Sequence, residues 1–483
     1  MRRLTSVLLL LLFFLTIAAQ PKYEVRAAWI TTAYGLDWPH TRATDPQSIR
    51  KQKQELTEIL DRLKIANFNT VLFQARTRGD VFYPSAIEPF SSLLTGKTGG
   101  NPGYDPLAFV IEECHKRGME CHAWMVAIPL GNKSQVNSLG NRSVVRQKKD
   151  LCVAYKNEYF LNPGHPGTKV YLMKLVQEIV SNYDIDGIHL DYLRYPENAP
   201  DFPDRNDYRR RNEGRSLEQW RRDNLSEIVR YIYKGVKAMK PWVKVSTCPV
   251  GKFRDTTRYS SKGWNAFYTV CQDPQGWLNE GIMDQIYPMM YFQGNNFYPF
   301  ALDWQEQSNG RHIIPGLGIY FLDPKEGNWK LEEIERQLYF IRKHQMAGEG
   351  FFRTQHLMDN TQGIYDALTD RFYTYPALQP PMPWLDSTPP SAPTDGTVRQ
   401  TEDGYTELTW QPATDNDTQN PPTYVIYASD TRPVDTGQAQ NIVAVGIRGT
   451  SYLYAPLLPW EKKKYFAVTA VDRYGNESEA IQL

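Results

Sequence analysis

The chain has 483 residues, enough for one large domain and a smaller one. A net charge of +1 gives no support for a nucleic acid or other polyanion partner, and none is expected. Aromatic residues reach 13%, with 30 Tyr and 12 Trp, and their flat faces suit stacking on sugar rings as well as filling a large core.

The N-terminus runs Met1-Arg2-Arg3, then apolar from Val7 to Ile17, then Ala18-Ala19-Gln20-Pro21. A basic start, a short apolar centre and small residues before a Pro predict a secretory signal peptide over residues 1–19, cleaved near Ala19. The run is too short for a membrane span. No cysteine lies nearby to take a lipid, the first being Cys114. The expectation is an exported protein, periplasmic or extracellular. Cys114, Cys121, Cys152, Cys248 and Cys271 are odd in number and scattered, and neither they nor the eight His are spaced as zinc ligands. No metal and no cofactor is expected.

From residue 22 to 377, short β-leaning apolar runs alternate with helical patterns. Strand one covers 24–32 (EVRAAWITT), with Asp37 and Trp38 in the loop after it; a helix follows over 46–66. Strand two (69–79) carries Gln74 and Arg76 on one face, and its long loop starts at Asp80. Loops of that length inside a compact domain are usually functional. Helix 106–117 leads into strand three (120–128), where His122 and Trp124 share a face. Strand four is the stretch DGIHLDYLRYP, residues 186–196. Alternation places Gly187, His189 and Asp191 on one face and Asp186 on the other. Asp191 then stands at the carboxyl-end rim with His189 one layer below, and Tyr192 and Arg194 follow in the loop. Strands five (243–250), six (284–292, with Tyr287, Met289 and Tyr291), seven (313–321) and eight (350–356) complete the pattern. This alternation predicts an α/β fold, a (β/α)8 TIM barrel with its site at the carboxyl ends of the strands.

Residues 378–392 are proline-rich and read as a stiff linker. Over 393–483 the pattern changes to short alternating strands with Gly, Asn and Asp turns, predicting a small all-β sandwich.

The rim so assembled holds acids, an Arg, a His and aromatics. Glycoside hydrolysis normally needs two carboxyl groups, about 5–5.5 Å apart in retaining enzymes and about 6.5–9.5 Å apart in inverting ones. Asp191 is the candidate nucleophile or base. Asp80, Asp37, Glu88 and Asp323 are loop candidates for its partner, and Asp80 is favoured. The bland alternative for Asp191 is a helix cap or an ion pair with Arg194.

EVRAAWITT, the run 74–85 (QARTRGDVFYPS), residues 103–124 (GYDPLAFVIEECHKRGMECHAW), LNPG (161–164), DGIHLDYLRYP and DQIYPMMYF resemble, in order, the blocks of glycoside hydrolase-like family 10. The Trp410 strand, YVIYAS and YFAVTAVDRYGNES resemble a fibronectin type III module. The first resemblance implies an exported bacterial TIM-barrel hydrolase acting on a polysaccharide, with peptidoglycan glycan strands stripped of stem peptides among the substrates linked to the family. By motif, Asp191 matches the strand-four acid, and Gln74, Arg76, Asp80, His122 and Trp124 look like subsite residues. His189, Tyr192, Arg194, Tyr291 and Asp37 complete the expected substrate-binding set. Two departures stand out. Tyr192 replaces the second Asp that many relatives carry, and strand five ends Thr247-Cys248-Pro249, without the amylase-type Glu. Competing readings are a hydrolase of a dietary or host polysaccharide, and a non-catalytic glycan-binding protein on a degenerate barrel.

Overall fold

The computed structural model describes residues 20–455 and 463–483; the expected signal peptide over 1–19 lies outside the described residues. The chain divides into two compact units, one of 25–367 with 380–387, the other built mainly from 388–483 with 368–379. The proline-rich segment is thus shared between them. Its middle lies on the first unit, where Trp384 packs edge-on against His312 and donates Nε1 to Asp284 at 3.0 Å.

The first unit is a mixed α/β fold around a curled parallel sheet. Its strands are β1 Val25–Ile30, β2 Thr70–Arg76, β3 Glu120–Val126, β4 Gly187–Asp191, β5 Lys244–Thr247, β6 Gln285–Ile286, β7 His312–Ile313, β8 Gly316–Gly318 and β9 Gly348–Phe352. The hydrogen-bonded order is β7-β6-β5-β4-β3-β2-β1-β9-β8. The two strands that end this order, β7 and β8, are consecutive in the chain and separated by Ile314 and Pro315. Proline has no N–H to give a ladder, so a break is expected there.

Helices connect the parallel strands, and their ends follow local chemistry. Asp45 accepts from the backbone N–H groups of Gln47 and Ser48, capping Pro46–Ile65, and Asp105 does the same through Ala108 N for Pro106–Lys116. Leu56, Ile59, Leu60 and Leu63 form the buried stripe of the first of these. One face of the sheet closes on itself: Val25, Ala27, Trp29, Leu72, Trp124, Cys248, Tyr287 and Ile314 make one packed cluster from strands across the sheet.

The segment after β3 holds a small antiparallel sheet of Pro129–Asn132, Glu158–Leu161 and Cys152–Tyr155, with helix Lys133–Ser138 in between. After β4 the charged run Arg205–Arg211 forms a short helix.

The second unit is all-β in its main part. It holds an antiparallel three-stranded sheet (Thr394–Gln400, Thr406–Gln411, Ser451–Tyr454) and a four-stranded one (Ile442–Ile447, Thr423–Ser429, Tyr465–Val471, Ile481–Gln482). Leu408, Trp410, Tyr424, Ile426, Phe466 and Val468 form the buried core between strands of both.

Candidate active site

At the carboxyl ends of the strands a cavity of about 420 Å³ opens, with Asp191 and Asp80 both in its lining. Aromatic side chains contribute to its walls: Trp29 from β1, Trp124 from β3, Tyr192 after β4, Tyr291 after β6 and Phe352 from β9. An apolar pocket with a few convergent polar groups is the common form of a small-ligand site.

Asp191 ends β4 and is 5% exposed. Its Oδ2 accepts from Trp124 Nε1 at 3.0 Å and its Oδ1 from the backbone N–H of Tyr192 at 2.6 Å. The Cys248 thiol also donates to it, and burial pushes that thiol well above its ordinary pKa, keeping it neutral and a donor. Burial raises the Asp191 pKa above the usual aspartate value; the Cys248 bond, the Arg194 charge, the Tyr192 N–H and the Trp124 bond pull the other way without cancelling it. A carboxylate fits this shell, because each of these hydrogen bonds is donated to it.

Tyr192 takes a left-handed backbone conformation, φ 49°, uncommon for a non-glycine residue. Its ring lies 37% exposed at the mouth, with the Arg194 guanidinium 4.6 Å from its centroid. Arg194 therefore braces Tyr192 instead of lining the cavity. Tyr291 stacks on Phe352 with centroids 5.7 Å apart and an angle of 22°. Asp80 accepts from the Thr77 hydroxyl and, at 3.3 Å, from the backbone N–H of Arg78, both through Oδ1. Its Oδ2 takes no donor among the described residues. Gln74 uses Oε1 to accept from Thr32 N (3.0 Å) and Ala33 N (2.8 Å), holding the loop after β1. Gln74 also lines the cavity, and its Nε2 donates to no described residue.

His189 sits one layer below Asp191, fully buried, as strand alternation predicts. Its Nε2 accepts from Trp29 Nε1 at 3.3 Å, which leaves the proton on Nδ1, 2.9 Å from Ser246 Oγ. Burial holds its pKa well below the ordinary value, so the ring is neutral. Its contact is with the Trp29 wall and not with the cavity. His122 lies deeper, fully buried, with Nε2 3.0 Å from Glu120 Oε2, and Glu120 in turn pairs with Lys244.

Two more expected subsite residues, beyond Arg194, His189 and His122, are drawn elsewhere. Strand alternation puts Arg76 on the face of Gln74, but the β2–β3 register shifts between them: Gln74 pairs with Trp124, whereas Arg76 pairs with Met125. One extra residue in a strand turns the residues beyond it to the opposite face. Arg76 is fully buried, donating to both Glu88 oxygens at 2.7 Å and to the carbonyls of Val126 and Ala127. This also removes Glu88 from the acid candidates; its Oε1 accepts from Tyr171 as well. Asp37, 1% exposed, is consumed by Thr31 N (2.7 Å), Gln355 N (2.9 Å) and Arg353. Trp29, Tyr34, Arg78, Cys248 and Phe352 also line the cavity; Trp29 and Arg78 lie in the sequence blocks quoted above but are not among the expected subsite residues. Strand parity would have reached Trp29, two residues beyond Ala27 on the buried face; the others depend on loops or strand ends.

The sequence matches the model of the glycosyl hydrolase-like 10 family over residues 24–321, more than half of its length. The chain belongs to the glycosyl hydrolase-like 10 family. "Glycosyl hydrolase YngK" of Bacillus subtilis (strain 168) is 33% identical over 485 residues, covering 96% of this chain and 93% of its own. "Glycosyl hydrolase DigH" of Escherichia coli (strain K12) is also 33% identical, over 292 residues, covering 56% of this chain and 66% of its own. Among solved structures, the PgaB (BpsB) glycoside hydrolase domain of Bordetella bronchiseptica superposes with a TM-score of 0.52 at 13% identity, covering 73% of this chain and 99% of that one. The β-amylase catalytic domain of Paenibacillus polymyxa gives 0.51 at 12%, over 74% and 99%. At such identities the likeness concerns the fold, which for this glycosyl hydrolase-like 10 protein is TIM-barrel-like.

Proposed function

We propose that the protein is an exported glycoside hydrolase that cleaves a polysaccharide, with peptidoglycan glycan strands lacking stem peptides as the substrate to test first. The observation that carries this is the placement of Asp191 and Asp80 in one cavity, walled in part by aromatic side chains, at the carboxyl ends of the strands. In this reading the curled sheet is a (β/α)8 barrel whose seventh strand is bent at Pro315, and the C-terminal sheets are a fibronectin type III-like module. Family membership supports a carbohydrate substrate. Among the described residues no helix is long and apolar enough to cross a membrane.

The chemistry follows from the two carboxyl groups. Asp80, whose Oδ2 takes no donor among the described residues, protonates the glycosidic oxygen as the bond to the anomeric carbon breaks. Asp191, ionised and held by Trp124, Tyr192 N and Cys248, either attacks the anomeric carbon or takes a proton from the attacking water. Its burial raises the basicity of the carboxylate, which serves both roles. Tyr192 and Tyr291 offer faces for the sugar rings, and Gln74 Nε2 offers a donor to a sugar hydroxyl.

The test is digestion of peptide-free peptidoglycan strands beside plant and host glycans, with products read by mass spectrometry. Wild type, Asp191→Asn and Asp80→Asn are run in parallel. Loss of either carboxylate should remove several orders of magnitude in rate, since enzymes typically accelerate reactions ~10⁶-fold or more. Cutting of a dietary or host glycan alone would move the substrate. Tight binding without cutting, unchanged by Asp191→Asn, would instead support a non-catalytic glycan-binding protein, a reading that Cys248 at the end of the fifth strand favours.

A further inference from the structure

Among the described residues the cavity lining contains one cationic side chain, Arg78, together with two acids, Asp80 and Asp191. It sits on the turn between Thr77 and Asp80, and its backbone N–H holds Asp80 while its side chain reaches out over the mouth. The side chain is 30% exposed and makes one ion pair, from NH1 to Glu158 Oε1 at 3.0 Å; Glu158 is itself 40% exposed. Of the five guanidinium N–H groups, the remaining four meet no acceptor among the described residues. The charge also acts on Tyr192, the exposed ring next to Asp191. A cation bound only to a solvated rim carboxylate gains little from that pair and is available for exchange. By contrast, Arg76, two residues earlier, has its fork saturated by Glu88 and carbonyls. Two arginines of the same strand end thus divide into one that builds the wall and one that faces the ligand.

We propose that Arg78 is a specificity-determining residue that binds a carboxylate carried by the sugar units of the substrate. This rests on the glycoside hydrolase reading of the same cavity. A planar guanidinium matches a carboxylate through two parallel N–H···O bonds, a geometry that lysine lacks. Without Arg78 an acidic sugar would meet Asp80 and Asp191 with no cation in the described cavity lining. Glu158 acts as the placeholder that the substrate carboxylate displaces.

The experiment measures binding to the full chain by calorimetric titration. One ligand is a soluble peptide-free peptidoglycan fragment, with an ether-linked carboxylate; the other is an oligogalacturonide, made of uronic acids. Each is paired with its carboxyl-reduced counterpart. The expected result is a preference of about ten- to a hundredfold for the acidic member of one pair, the size of a charged hydrogen-bond contact. Arg78→Gln should bring that ratio toward one, Arg78→Lys should restore part of it, and Glu158→Gln should enlarge it. Which pair shows the preference identifies the source of the carboxylate. A preference that survives Arg78→Gln, or no preference in either pair, overturns the proposal. Cleavage is scored on the same ligands: Arg78-dependent binding without cutting defeats the hydrolase reading alone, and cutting without Arg78 dependence defeats this one alone. Both side chains are partly exposed, so the variants should fold.

Discussion

Replacing Trp124 by Phe keeps an aromatic wall in the cavity but removes the N–H that reaches Asp191 Oδ2 at 3.0 Å. A hydrogen bond to a charged acceptor contributes about 1.5–3 kcal/mol. One pKa unit corresponds to about 1.4 kcal/mol, so losing a donor that serves only the ionised form should raise the Asp191 pKa by about one to two units. The active form in the proposed mechanism is the carboxylate. The acidic limb of the kcat/KM profile should therefore move to higher pH by that amount, while the alkaline limb stays in place. The assay is a pH series on whichever glycan is cut, backed by carbon-13 titration of the aspartate carboxyls in the free protein. An unmoved acidic limb would refute the claim that the Trp124 bond tunes Asp191. A displaced alkaline limb would mean that Asp191 works as the acid.

Asp191→Asn should abolish activity and remove the pH dependence of stability that this carboxyl contributes, at the cost of setting an amide N–H2 against one of the donors. Because burial raises the folded-state pKa, the wild-type carboxyl favours folding below the ordinary aspartate value, and that contribution is lost as pH rises through the raised one. Melting curves should show the difference between variant and wild type moving in the variant's favour over that window and then levelling, by about 1.4 kcal/mol per unit of upward shift; a difference independent of pH would count against the burial argument. Arg76→Ala, which strands Glu88 in the interior, should cost about 3–5 kcal/mol in denaturant unfolding, with KM changing little for protein that remains folded. A raised KM at unchanged stability would return Arg76 to the subsite. Asp37→Ala should behave likewise, since it leaves two backbone N–H groups without their acceptor and Arg353 without its counter-charge.

The features legible in the sequence are those that depend on neighbours along the chain. Strand alternation alone places Asp191 at the end of β4 with His189 beneath it, and Asp186 on the other face, where it accepts from Cys121 N and meets His115 at 2.8 Å. Asp45 and Asp105 announce helix starts because a cap is a contact over two or three residues. The divergence of Arg76 from Gln74 was not legible, because the bulge that separates them is a matter of register between two strands. Nor was the fate of Asp37, whose carboxylate is claimed by Arg353 at the other end of the unit's sequence. His189 is a similar case: its polar neighbourhood is visible in strand four, but its partners come from Trp29 and Ser246. Arg78 and Arg76 are both arginines at the end of one strand, and only the packing around Glu88 and Glu158 decides which is buried and which is left facing the cavity. Periodicity determines which face a side chain takes within its own strand; whether that face finds a partner or a cavity is decided by segments brought together when the sheet curls.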